Sequence, residues 1–162
     1  MLHIRGGTVV TAERSMRADV LCGADGRIDY VGDPLDTPAG DEVLDAGGLL
    51  VMPGGIDPHT HMEMPFMGTV ASDDFFTGTA AGLAGGTTSI LDFVIQGRGE
   101  SLLAVRRAWR EKAAKACADY GFYGPFSHWN KQVGDAMSTL CEYRRFRSVH
   151  YFTVANTALT GA

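Results

Sequence analysis

The sequence predicts an α/β protein in two parts: a small all-β module over residues 1–52, then βα units around a parallel sheet over residues 53–162. Three observations carry this. Short β-type runs separated by turn residues fill the first part. Beyond Pro53, β-type runs alternate with stretches of helical apolar spacing, the pattern of parallel strands joined by crossover helices. Thr87 to Val94 is nearly all apolar or β-branched, as a parallel strand covered on both faces requires.

In the first part, Thr8-Val9-Val10-Thr11, Ala18-Asp19-Val20-Leu21 and Arg27-Ile28-Asp29-Tyr30-Val31 read as strands, with Gly23-Ala24-Asp25-Gly26 as the hairpin turn between the last two. Val43-Leu44-Asp45-Ala46 and Leu49-Leu50-Val51-Met52 add two more, giving a small antiparallel sheet. The glycine pairs Gly6-Gly7, Gly47-Gly48, Gly54-Gly55 and Gly85-Gly86 mark expected chain turns. Past Pro53, Ile56 leads into a histidine segment, followed by an irregular loop from Met62 to Ala71. Ser72 is the expected N-cap of a helix with acids in its first turn. That helix runs through Thr79-Ala80-Ala81-Gly82-Leu83 and stops at Gly85-Gly86. A second helix starts near Ser101, where Leu102, Val105, Trp109, Ala113 and Ala116 keep helical spacing. Gly121 to His128 is the next strand, Val133 to Tyr143 the next helix, and Arg147 to Val154 a further strand.

Composition narrows the function classes. With 162 residues, 45% of them apolar and 20% charged, the chain reads as globular, with enough length for a core. A net charge of −5 argues against nucleic-acid binding, which needs a basic face. No apolar run reaches the ~20 residues that span a bilayer, so no membrane partner is expected. The start, MLHIRGGTVV, lacks the pattern of a secretory signal. Cys22, Cys117 and Cys141 are odd in number and widely spaced, which suits a reducing cytoplasm better than a disulfide framework or zinc ribbon.

The chemistry concentrates in Asp57-Pro58-His59-Thr60-His61. Residues i and i+2 of a strand share a face, so His59 and His61 present two imidazoles to one ion at ~2.0–2.1 Å each. Asp57 lies two residues earlier in the same register, as a candidate charge partner. The segment falls where a strand passes into a loop, the place where barrel enzymes carry their catalytic groups. An isolated His-x-His pair is more often two solvated histidines. Here the flanking glycines, the aspartate in register and the following βα unit favour a metal.

The run PGGIDPHTHMEMPFMGTVASDDFFTGTAAGLAGGTTSILDF, from Pro53 to Phe93, closely resembles the dihydropyrimidinase/D-hydantoinase family of the amidohydrolase superfamily. The resemblance extends over most of residues 5–120, through GGTVVTA, the ADV…DGRI hairpin, LDAGG and SLL…W…KA…DYGF. It implies a partial (β/α)8 barrel of about four βα units, preceded by a small β-sandwich module whose strands come from both chain ends. It implies a two-zinc centre, hydrolysis of the ring amide of dihydropyrimidines or 5-substituted hydantoins, and homotetramers. Carried over, His59 and His61 match the first two metal ligands, and Met62, Met64, Pro65 and Phe66 match the loop that shapes the pocket. Asp73 and Asp74 match structural acids, and Asp92 ends its strand near the site, its chemical role open.

The last third departs from that pattern. Gly124-Pro125 interrupts a strand, and His128 aligns with a family tryptophan, as a structural residue. The family carries a motif like SFKxFMAYKG, whose lysine becomes a carbamate bridging both metals. Here the lysine position holds His150 and the tyrosine position Ala155, and no lysine follows Lys131. An imidazole reaches one metal where a carbamate reaches two. His150 therefore remains a candidate third ligand to a single zinc, and Phe152 a candidate substrate contact. The departure from Tyr143 onward, with the family's later ligands lying beyond these residues, fits a truncated or frame-shifted copy, and the fragment is expected to be inactive by itself. A non-catalytic assembly subunit is the alternative from a different class.

Overall fold

The computed structural model describes residues 1–66, 68–97, 99–126, 135 and 149–151, with backbone alone for Phe66 and for residues 124–126 and 149–151. The chain divides into two compact units, Met1–Pro53 and Gly54–Ala162.

The first unit is one sheet of five strands: β1 (Leu2–Val10), β2 (Ser15–Cys22), β3 (Ile28–Gly32), β4 (Glu42–Asp45) and β5 (Leu50–Val51). Its order is β3-β2-β1-β4, with β5 also on β1. β1, β2 and β3 are antiparallel neighbours, but β4 and β5 both run parallel to β1. The sheet is therefore mixed rather than antiparallel. Alternation of side chains is the same in both pairings, so the sequence pattern carried no signal of direction. Gly6 corrects a second expectation. It lies inside β1 rather than in a turn, at φ +69°, where the pairing with β2 shifts register between Ile4 and Gly7. A bulge with a left-handed first residue favours glycine, and this one points its N–H at Asp19 Oδ1, 2.9 Å away.

Asp19 is the hub of this unit. It is fully buried beside His3, whose Nε2 lies 2.9 Å from Asp19 Oδ2. The Ala39 N–H donates to His3 Nδ1 at 3.1 Å, so Nε2 carries the ring proton and donates to the carboxylate. Leu35 N–H adds a third bond to Asp19 at 3.0 Å. Burial works to raise the Asp19 pKa, but the Gly6 and Leu35 N–H groups and His3 outweigh it and hold the carboxyl below its ordinary value. Together these bonds fasten the crossover between β3 and β4. Beneath them Val9, Ala18 and Val20 form the apolar core, with Ile4, Met16, Cys22 and Val51 around it.

The second unit holds β6 (Gly55–Thr60), a short hairpin of β7 (Pro65–Phe66) and β8 (Thr69–Val70), α1 (Phe75–Ala84), β9 (Thr87–Phe93), α2 (Leu102–Lys112), β10 (Asp119–Phe126) and β11 (Val149–Tyr151). β6, β9, β10 and β11 form a parallel sheet in chain order. The helix cap differs from the expected Ser72. Asp74 is the N-cap, in a reciprocal box with Thr77, because a two-residue shift lets both side chains reach backbone N–H groups. The end at Gly85-Gly86 is as expected, their N–H groups meeting the carbonyls of Ala81, Gly82 and Leu83. Leu102, Val105, Trp109 and Ala113 face inward from α2 and the 3-10 turn after it, onto Phe75, Ile90, Val94 and Phe122. The loop expected to be irregular from Met62 to Ala71 contains the β7–β8 hairpin instead. Gly124-Pro125 is tolerated within β10 because β9 pairs only with Asp119 to Tyr123, while β11 pairs beyond. The expected helix from Val133 to Tyr143 and His128 lie outside the described residues, apart from the helical Asp135.

Asp19→Ala leaves the buried His3 Nε2 and the half-buried Gly6 and Leu35 N–H groups without their acceptor and is expected to cost about 3–5 kcal/mol in chemical denaturation. A loss below about 1 kcal/mol would mean that water replaces the carboxylate.

Candidate functional site

The site is built at the C-terminal end of β6. His59 lies in the strand and His61 just beyond it, and their Nε2 atoms come within 3.1 Å. The rings stand nearly perpendicular, 81° apart, with centroids at 4.9 Å. Phe93, at the end of neighbouring β9, packs against both, at 4.3 Å from His59 and 5.1 Å from His61. Tyr123 of β10 backs Phe93 at 5.1 Å. β9 and β10 thus supply one aromatic wall behind the two imidazoles at the end of β6. Phe93 and Tyr123 were not singled out from sequence, although the parallel order puts the ends of β9 and β10 beside that of β6.

Burial, and then the neighbouring His59, lower the pKa of His61. The neutral ring with a free lone pair is the form a metal binds. His61 Nδ1 is buried without a hydrogen-bond partner among the described residues. Two nitrogens bound to one ion at ~2.0–2.1 Å each lie at most ~4.2 Å apart, and 3.1 Å satisfies that limit. The pair fits a shared cation. Among the described residues no third His, Cys, Asp or Glu joins it.

Asp57 does something other than pair with an imidazole. Its Oδ1 accepts the His59 N–H at 3.1 Å, forming a local turn across Pro58. The pairing of β6 with β9 is irregular between Asp57 and Thr60, so simple alternation does not hold there.

The residue that positions the pair is Asp92. Fully buried at the end of β9, it accepts the Thr60 hydroxyl at 2.9 Å and the Met62 N–H at 2.7 Å through one oxygen. Thr60 and Met62 flank His61. The other oxygen accepts the Trp109 indole N–H of α2 at 3.3 Å. Holding these three donors, Asp92 is a brace.

Met64 is half-buried, and its carbonyl accepts the Ala71 N–H at 2.9 Å, closing the β7–β8 hairpin. The side chain of Phe66 and all of Phe152 lie outside the described residues. His150 is placed by its backbone in β11, paired with Pro125, at the opposite edge of the sheet from β6. Its side chain lies outside the described residues. Asp73 and Asp74 sit at the start of α1, in capping contacts with Thr77. Among the described residues, no helix is long and apolar enough to cross a membrane.

Residues 50–155 match the model of the amidohydrolase family. The chain is 46% identical over 156 residues to a dihydropyrimidinase of Rattus norvegicus, covering 93% of this chain and 30% of that protein. It is 45% identical over 150 residues to a D-hydantoinase of Geobacillus stearothermophilus, covering 92% and 31%. The solved D-hydantoinase of Bacillus sp. AR9 superposes with a TM-score of 0.85 at 47% identity, over 92% of this chain and 32% of that one. The chain thus spans about 30% of the length of the curated relatives it matches.

Burial pushes the Asp92 carboxyl up to about 6, against the Met62 N–H, the Thr60 hydroxyl, the Trp109 indole and the charge of Lys112. That is above the ~3.9 of an unfolded aspartate, so the folded state holds the proton more tightly. The resulting stability is fullest below about pH 4 and is lost as pH rises through about 6. Asp92→Asn is expected to remove this dependence, a difference of about 2 kcal/mol between urea unfolding curves taken at the two ends of that window. Parallel pH profiles for the two proteins would contradict it.

Proposed function

This chain belongs to the amidohydrolase family, within its dihydropyrimidinase/D-hydantoinase group, and on that footing we propose that it is part of a metal-dependent cyclic amidase. The reaction is hydrolysis of the ring amide C–N bond of a dihydropyrimidine or a 5-substituted hydantoin. The observation that carries this proposal is the approach of His59 Nε2 and His61 Nε2 to 3.1 Å at the end of a parallel strand. In this proposal the four strands in chain order are the first half of a barrel, and its sandwich begins with residues 1–52.

His59 and His61 would hold zinc, their Nε2 atoms lying 3.1 Å apart. An ion held there would supply Lewis-acid polarisation of the ring carbonyl and a water acidified toward neutral pH. The chain's own contribution is placement. The low proton affinity of His61 keeps it available as a ligand, and Phe93 shields one side of the pair from water. Met64, Phe66 and Phe152 are proposed to line the substrate side, and His150 to approach the metal as a single-metal ligand. Assembly into a homo-oligomer is part of the same proposal.

These 162 residues by themselves are expected to lack turnover, since His150 and Ala155 stand where the family places a bridging lysine and a carbonyl-binding tyrosine. Zinc-loaded full-length protein carrying this segment with His150→Lys and Ala155→Tyr is expected to hydrolyse dihydrouracil or hydantoin, and the histidine variants are compared in that background. His59→Ala and His61→Ala should each lower kcat/KM by more than the ~10–100-fold that loss of a supporting residue costs. Wild-type turnover in either variant would overturn the assignment of the pair, and zinc-dependent turnover by the 162 residues alone would overturn the expectation for the fragment.

A further inference from the structure

Beyond His61 the chain turns through Met62 and Glu63 to Met64, and Glu63 is the unusual residue. It is the non-glycine residue with positive φ among those described, at +49°. L-residues avoid this region unless their surroundings hold them there. Three contacts do so. The Glu63 N–H donates to the Asp73 carbonyl at 2.9 Å, the Lys112 ammonium donates to the Glu63 carbonyl at 3.3 Å, and the Lys115 ammonium donates to Glu63 Oε1 at 2.9 Å. Lys115 also reaches Asp74 Oδ2 at 2.9 Å, and Asp74 is the N-cap of α1.

The side chains of Lys115, Glu63 and Asp74 are 42%, 24% and 36% exposed. Ion pairs this open to water contribute little to global stability. What the arrangement does is fix a strained turn between two rigid helices. Asp92 grips the same turn from beneath, through the Met62 N–H. Met62 packs its side chain against Gly78 of α1, where a Cβ would collide with its sulfur. The turn is thus clamped on both faces, with His61 at one end and Met64 at the other.

We propose that Lys115 is a positioning residue for the metal centre, acting through Glu63 to set the direction in which His61 presents Nε2. The proposal rests on His59 and His61 being metal ligands. Its test uses Co2+ alone as probe, on the full chain, reading both affinity and the visible absorption of the bound ion, with thermal unfolding of the metal-free protein alongside. Glu63→Gly removes the carboxylate while relieving the positive φ, so it separates position from stability. Metal-free Glu63→Gly should melt at or above the wild-type temperature, yet bind Co2+ about tenfold more weakly with an altered spectrum. Lys115→Met should show the same weakening, and Lys115→Arg should restore affinity to within about twofold of wild type. Co2+ binding lost in His61→Ala but unchanged in Glu63→Gly and Lys115→Met would overturn this proposal and leave the metal assignment standing. No Co2+ binding by the wild type, or binding untouched in His61→Ala, would overturn both.

Discussion

One buried carboxylate organises the second unit. Asp92 ends β9 where the sheet gives way to loops, and it meets a hydroxyl and a main-chain amide from the turn around His61 and an indole from α2. Taking an aspartate fully out of water is costly unless donors surround it. Those donors come from both sides of His61 and from the middle of α2. Were Asp92 apolar, Thr60 and Met62 would lose the acceptor that fixes the backbone around His61, and Trp109 would lose the anchor for its N–H. The imidazole pair is therefore held by main-chain and neighbouring side-chain bonds.

The first unit uses the same device in a different setting. His3 and Asp19 are both buried, and their bonds reach the bulge at Gly6 and the crossover at Leu35 and Ala39. In each unit a small apolar core is supplemented by a carboxylate whose oxygens are met by both main-chain and side-chain donors. Such sites specify geometry sharply, because each oxygen left without its donor in a wrong arrangement carries a desolvation penalty. The difference between them is in ionisation. Asp19 collects enough donors to stay below the ordinary carboxylate range, whereas burial dominates at Asp92.

Much of the fold was legible because it depends on local pattern. The β-type runs, the helix from Phe75 to its stop at Gly85-Gly86 and the apolar stripe of α2 follow from period and punctuation. Where reading failed, the deciding forces were not local. Gly6-Gly7 looks like a turn signal, but pairing with β2 on one side and β4 and β5 on the other keeps the chain extended through a bulge. Ser72 is as good a cap as Asp74. The choice between them falls to Asp74, which also answers Thr77 and Lys115.

The histidine pair with which the site begins was a property of sequence alone. A spacing of two at a strand end favours two imidazoles on one side, and the family resemblance lies in the same contiguous run. What surrounds them was decided by tertiary structure. Phe93 reaches them because β9 lies beside β6, and Asp92 braces them because that same strand ends at the same level. Glu63 takes a conformation it would avoid in an isolated peptide because lysines from the end of α2 and the 3-10 turn after it arrive to hold it. Asp57, in register for a ring contact, binds the main chain instead because β6 departs from regular pairing at Pro58. Local spacing can bring two ligands together, but their orientation and protonation depend on groups distant in sequence, whose arrival only the folded chain determines.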